Sequence, residues 1–184
     1  MNDFPVLHTE RLILREIVDA DAQALFAIHG CAEVMRYFGS DPLMELAQAK
    51  ALVATFSHWR GEGNSGIRWG ISQKSDGKLL GSCGFFRWNH AWRSAMVGYE
   101  LAQSAWGQGL MQEALAAILP YGFHAMNLNR IEAQIHPDNA ASLQLMPKLG
   151  FVHEGQLREA GFWGGKFNDF VQFGVLRREY LEQA

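Results

Sequence analysis

Hydrophobic positions change their period along this chain, and the changes mark its elements. Over residues 7–15 the pattern alternates. Leu12 and Leu14 fall on one face and Arg11, Ile13 and Arg15 on the other, which predicts a strand. Residues 19–29 shift to helical spacing through Ala22, Leu25, Phe26 and His29, and Gly30 stops the helix. Residues 35–40 are irregular. Asp41 and Pro42 have the chemistry of a cap and a first turn, so a long helix is expected from there to about Arg60. A glycine-rich loop follows at residues 61–66.

Residues 67–73 and 79–88 read as strands joined by Ser75, Asp76, Gly77 and Lys78, where Asp-Gly signals a tight hairpin. Residues 94–101 read as a strand, 109–126 as a helix, 131–136 as a strand and 139–149 as a helix. Two last strands, 151–159 and 168–177, flank a loop at 160–166 that carries Phe162 and Trp163. No repeat, low-complexity segment or linker interrupts this α/β order, so residues 1–184 are expected to form one domain. Pro120 and Pro147 fall inside predicted helices and crowd the carbonyls of Ala116 and Leu143. An interior proline costs about 3 kcal/mol unless the helix bends or ends, so kinks are expected.

Two pieces of sequence carry chemistry. The first, after the strand ending at Leu101, is Trp106-Gly107-Gln108-Gly109-Leu110-Met111-Gln112-Glu113-Ala114. Its spaced glycines let a turn aim backbone N–H groups at one point, and the helix that opens there adds its partial positive charge. That is a pyrophosphate cradle made of main chain. A Walker loop is excluded, because Leu110 stands where its lysine would be. A dinucleotide fingerprint would follow the first strand of a βαβ unit, whereas this turn lies about halfway along the chain. The second piece is Asn139-Ala140-Ala141-Ser142, leading to Lys148-Leu149-Gly150-Phe151.

Composition narrows the classes. At 184 residues and 48% hydrophobic content the chain can bury a sizeable core. A formal charge of −3 and a pI near 6.1 argue against a nucleic-acid or anionic-membrane surface, though backbone N–H groups can still hold an anionic ligand. Cys31 and Cys83 match no metal or disulfide pattern, and the histidines show no metal spacing, so no metal is expected. Neither a leader-type start nor an eighteen-residue apolar run is present, and a soluble cytoplasmic protein is expected.

The stretch Val97-Gly98-Tyr99-Glu100-Leu101, the glycine turn, and Asn139, Ser142, Gly150 and Phe151 together resemble the GNAT acetyltransferases. Within them the chain looks most like the RimJ/RimL-like branch, which acetylates ribosomal-protein N-termini. Its opening Thr9-Glu10-Arg11-Leu12-Ile13-Leu14-Arg15, with Asp21-Ala22 six residues on, agrees. The resemblance implies a mixed central sheet, splayed after the fourth predicted strand, with helices on both faces. It implies acetyl-CoA as cosubstrate, with Leu101 and Ala102 along the pantetheine arm. Trp106, Gly107, Gln108, Gly109, Leu110 and Met111 would surround the pyrophosphate, and Asn139 would also touch the cofactor.

Glu100 is then the candidate base for the amine, or else a structural glutamate bonded to backbone or to Arg130. An α-amine titrates near 7.7–8.0, so removing its proton at pH 7 needs only about 1.4 kcal/mol. Met146 stands where many members carry a tyrosine acid and cannot donate. Ser142, one turn into the same helix, is its substitute as donor to the leaving thiolate, or a hydroxyl satisfying its own helix backbone. Phe162 and Trp163 would wall the acceptor pocket, or simply pack on their neighbours.

The implied reaction is direct attack in a ternary complex, without an acyl-enzyme on Cys31 or Cys83. The leading acceptor is a ribosomal or other protein N-terminal α-amine. The alternatives are a small amine, such as an amino acid, a polyamine or an aminoacyl antibiotic, and a non-catalytic acyl-CoA-binding module. A homodimer stays open.

Overall fold

The computed structural model describes residues 3–61 and 64–183. Met1, Asn2 and Ala184, and Glu62 and Gly63 of the expected loop, lie outside the described residues. One sheet joins eight strands: β1 (Leu7–His8), β2 (Leu12–Arg15), β3 (Ile67–Gln73), β4 (Leu79–Asn89), β5 (Ser94–Leu101), β6 (Arg130–Ile135), β7 (Val152–Trp163) and β8 (Lys166–Leu176). Their spatial order is β1-β2-β3-β4-β5-β6-β8-β7, and every pairing is antiparallel except β5 with β6. The helices are α1 (Ala22–His29), α2 (Ala32–Met35), α3 (Leu46–Arg60), α4 (Leu110–His124), α5 (Ala140–Lys148) and α6 (Arg177–Gln183).

The parallel pair is where the sheet opens. β5 and β6 pair only through Ser94, Ala95 and Met96, after which the strands part. Val97 to Leu101 therefore lie along an open edge, the splay expected after the fourth predicted strand. Both faces of the sheet are covered. On one, Trp69, Phe85 and Val97 pack with Leu115, Ile118 and Phe123 of α4. On the other, Leu25 of α1 meets Ala49, Val53 and Phe56 of α3. Coverage on both sides explains why β3 is buried at nearly every position instead of alternating.

Tertiary contacts moved several expected boundaries. The first strand is two short ones, because Thr9 turns back and its hydroxyl accepts from the Leu12 N–H at 3.0 Å. The long helix starts at Leu46, not Asp41. There Gln48 Oε1 accepts from the Met44 and Glu45 N–H groups at 2.6 and 3.0 Å. Asp41 instead accepts from the Gly164 N–H at 2.8 Å, a contact 123 residues away in sequence. Phe162 and Trp163 are not in a loop. They end β7, and Gly164 and Gly165, with φ of +61° and +71°, make the two-residue turn into β8. Pro120 and Pro147 do lie inside α4 and α5.

Candidate active site

The glycine turn has the geometry its sequence predicts. A short 3₁₀ turn at Gln103–Ala105 leads from β5 to Gly107 and Gly109, whose φ values are +73° and +74°. Gly109 is the N-cap of α4, and the buried side chains of Leu110 and Met111 root the first turn in the core. Those two residues can therefore offer a ligand only their backbone N–H groups. The Trp106 indole donates to the Leu101 carbonyl at 2.9 Å and ties the strand end to the turn. Ala102 already gives its N–H to the Leu80 carbonyl at 2.7 Å.

Arg11 adds a cation that the sequence did not assign to this place. Its Nε lies 2.7 Å from Glu113 Oε2 and its Nη1 donates to the Gln108 carbonyl at 2.9 Å. Its Nη2 is the nearest atom, at 3.7 Å, to a Cβ built on Gly109. Burial would raise the Glu113 carboxyl, but hydrogen bonds from Thr9 and Arg11 hold it below the ordinary carboxylate range. Left-handed backbone, free helix-terminal N–H groups, a cation and no covering side chain fit a pyrophosphate.

Asn139 and Ser142 face the splay. Asn139 caps α5, its Oδ1 accepting from the Ser142 N–H at 3.1 Å. Ser142 is buried, and the Tyr99 hydroxyl lies beside it. Burial pushes the Tyr99 hydroxyl up to about 12, against a smaller opposing pull from Ser142. The two oxygens interact electrostatically but fall outside hydrogen-bond geometry, which leaves Tyr99 Oη buried without a partner.

Behind the open edge is a buried charged cluster. Glu100 Oε2 pairs with Arg68 Nη2, and Ser82 donates to Oε1. Arg68 also donates from Nε to Ser82 Oγ at 2.8 Å and from Nη1 to the Gly98 carbonyl at 3.0 Å. A Cβ on Gly98 would come within 3.2 Å of Arg68 Nη1, so the glycine lets the guanidinium cross the strand. His29, at the end of α1, places Nε2 at 3.3 Å from Glu100 Oε1. Burial would raise the Glu100 carboxyl, but the Arg68 charge, then His29 and Ser82, hold it low. The partner is thus Arg68, not Arg130, which pairs with Glu132 and Glu154.

The main cleft beside the splay has a volume of about 440 Å³, with Phe38, Phe56, Trp59, Phe86 and Phe170 among its walls. Asn139, Ser142, Tyr99, His29 and Arg68 also line it, and Glu100 does not. A neighbouring cavity of about 320 Å³ shares Tyr37 and Ser40 with it and contains Trp163, His136, Asp41 and Asp138. Phe162 lines neither. It is 62% exposed and packs edge-on against Phe167.

Arg68, Ser82, His29, Tyr99 and Arg11 are the site residues that sequence reading missed. One signal was available: Arg68 is a lone charge in a strand otherwise fit for burial on both sides. Cys83 is buried, and burial pushes its thiol up to about 12, while Cys31 is half-buried. Among the described residues, no group of three His, Cys, Asp or Glu side chains could hold a metal ion. None of their helices is long and apolar enough to cross a membrane.

A sheet splayed at a parallel pair, next to a main-chain anion cradle, defines an acyl-CoA-type transferase. A family model described as an acetyltransferase (GNAT) domain matches residues 11–152. The uncharacterized N-acetyltransferase YoaA of Bacillus subtilis strain 168 is 38% identical over 174 residues, 95% of this chain and 98% of that protein. The chain belongs to the GNAT acetyltransferase family and is an acetyl-CoA-dependent N-acetyltransferase. The Vibrio cholerae spermidine N-acetyltransferase, solved with CoA and spermine, superposes with a TM-score of 0.82 at 24% identity. That match covers 92% of this chain and 98% of the other. Mycobacterium smegmatis RimJ, solved with CoA-disulfide, gives 0.85 at 23% identity, covering 97% and 88%. At such identities these two structures establish the shared fold.

Proposed function

We propose that this enzyme acetylates the α-amine of a peptide or protein N-terminus, by direct attack on acetyl-CoA in a ternary complex. One observation carries the acceptor class: no Asp or Glu is among the described residues lining the main cleft. Its walls are aromatic, and its charged side chains are the cations Arg68 and Arg87. A polyamine brings several positive charges that need carboxylates when they leave water. A peptide N-terminus brings one amine, which reacts neutral. Arg87 has no carboxylate partner among the described residues, so it can meet an acidic side chain of the acceptor. A RimL structure that shares the fold is a ribosomal L7/L12 α-N-protein acetyltransferase, which is consistent with such an acceptor.

In this reading the N–H groups from Trp106 to Met111, with Arg11, hold the pyrophosphate. The open edge at Leu101 and Ala102 guides the pantetheine arm, and Asn139 fixes the start of α5. Ser142 donates to the leaving sulfur. A thiol of ordinary pKa, near 8.5, leaves tolerably at neutral pH, so this help is modest. Trp163, in the adjoining cavity, borders the peptide beyond its first residue. We place the reaction in the cytoplasm, which also suits two free thiols.

A second reading has its own observation. The adjoining cavity holds Asp41 and Asp138, and one structural neighbour is a spermidine acetyltransferase. A screen of N-terminal peptides, free amino acids and spermidine, followed by release of the CoA thiol, decides between them. Peptide turnover with intersecting double-reciprocal lines is expected. Turnover of spermidine alone would transfer the assignment to small cationic amines.

A further inference from the structure

We infer that His29 takes the proton of the acceptor amine and that Glu100, behind it, is its positioning residue. This rests on the acetyl-transfer reading above. The lining of the main cleft makes the case. Its charged and titratable side chains, among the described residues, are His29, Tyr37, Tyr99, Arg68 and Arg87. Arginine does not give up its proton in a protein, and a phenol is a donor near neutrality. Burial makes that firmer for Tyr99. Among the described side chains lining the cleft, the imidazole of His29 is therefore the one with a basic lone pair to take a proton.

The surroundings of His29 support the assignment. It is 3% exposed, its ring meets the edge of Phe38 at 5.3 Å between centroids, and it stands at the end of α1, where the helix dipole favours a cation. Its Nε2 is buried and makes no hydrogen bond. Glu100 Oε1 lies 3.3 Å from it, outside hydrogen-bond geometry. From the sheet, the charges facing the imidazole are Glu100 on β5 and, through it, Arg68 on β3. Ser82 on β4 is neutral, and Tyr37 and Tyr99 lie along the same cleft. Nε2 is buried against Glu100, so the proton is taken at Nδ1, and in the imidazolium Nε2–H is offered to Oε1. Glu100 stays ionised throughout, because Arg68 and Ser82 hold it.

The step balances as follows. The acceptor ammonium loses one proton to the imidazole, the free amine bonds to the thioester carbonyl carbon, and the nitrogen then sheds its second proton to solvent. The carbon–sulfur bond then breaks with its electron pair on sulfur, and the thiolate is protonated from the Ser142 side or by solvent. His29 returns its proton to water.

The test compares wild type, His29→Gln, Glu100→Gln and the double variant on one peptide acceptor from pH 6 to 9.5. Calorimetry with acetyl-CoA and thermal unfolding run alongside. His29→Gln should bind acetyl-CoA within about twofold of wild type, yet lose about tenfold in kcat/KM at pH 7, where only about a tenth of the amine is free. The gap should close above about pH 9, where the amine, of ordinary pKa near 8, is already free. Glu100→Gln should lose less, with the same recovery, and the double variant no more than His29→Gln alone. His29→Asn provides a second variant should His29→Gln unfold. A loss that is equal at every pH, no loss, or additive losses in the double variant would overturn the role of His29 while leaving the enzyme assignment intact. A wild type that acetylates no amine would overturn both.

Discussion

The two sides of this site are built by opposite means. The side we assign to the cofactor is one continuous loop, in which Gly107 and Gly109 are left-handed and the side chains of Leu110 and Met111 are buried. The side we assign to the acceptor is backed by side chains: His29 from α1, Arg68 from β3, Ser82 from β4 and Glu100 from β5, all buried. A backbone cradle tolerates changed side chains, provided the glycines keep their left-handed conformation. A buried charged cluster tolerates almost none, because each member compensates another.

The largest effect should come from breaking that cluster. Arg68→Met leaves Glu100 buried without its cation, and stranding one partner of a buried pair costs about 3–5 kcal/mol. For a chain of this size that corresponds to a drop of about 6–20 °C in Tm, readable by calorimetry. Arg68→Met with Glu100→Gln should recover much of the loss, since the stranded charge is gone. Two independent losses that simply add would mean the pair does not act as a unit.

On the cofactor side the expected effect falls on binding. Gly109→Asp brings a carboxylate to the turn, where it repels a pyrophosphate and competes for Arg11. Affinity for acetyl-CoA should fall at least about tenfold, roughly 1.4 kcal/mol, by calorimetry. Equal affinity would remove the cradle from the cofactor.

A smaller effect is expected from acid. The Glu100 carboxyl is held low in the folded protein by Arg68, His29 and Ser82, against the opposing effect of burial. Its stabilising contribution is complete above the ordinary glutamate pKa of about 4.3 and is lost as pH falls through the lower folded value. Unfolding midpoints should therefore decline below about pH 4.3, and less steeply in Glu100→Gln. Identical slopes would mean that other carboxylates, such as Glu113 and Glu154, carry the acid limb. The smallest effect is expected from Cys31→Ala with Cys83→Ala. Burial raises the Cys83 thiol to about 12, so no reactive thiolate is lost and most activity should remain. Ping-pong kinetics with a trapped acetyl-cysteine would overturn direct transfer.

The sequence by itself determined what depends on near neighbours. The glycine turn was legible because Gly107, Gly109 and the helix that follows act within a few residues. The start of the helix at Asn139 was legible, and there the Asn139 side chain accepts from the Ser142 N–H three positions on. The hairpin at Asp76-Gly77 and the strands at 67–73 and 94–101 follow from local turn chemistry and side-chain period. Only the tertiary structure decided the rest. Asp41 looked like a helix cap until the distant Gly164 took its carboxylate, and the Gly164-Gly165 turn put Phe162 and Trp163 into a strand. Alternation along β5 put Glu100 and Gly98 on one face, but no local rule could select Arg68, 32 residues earlier, over Arg130 as partner. Nor could it bring His29 to the same carboxylate. Those choices follow from strand register and from the packing of α1 against the sheet, where burial makes an unpaired charge so costly that the fold must supply its partners.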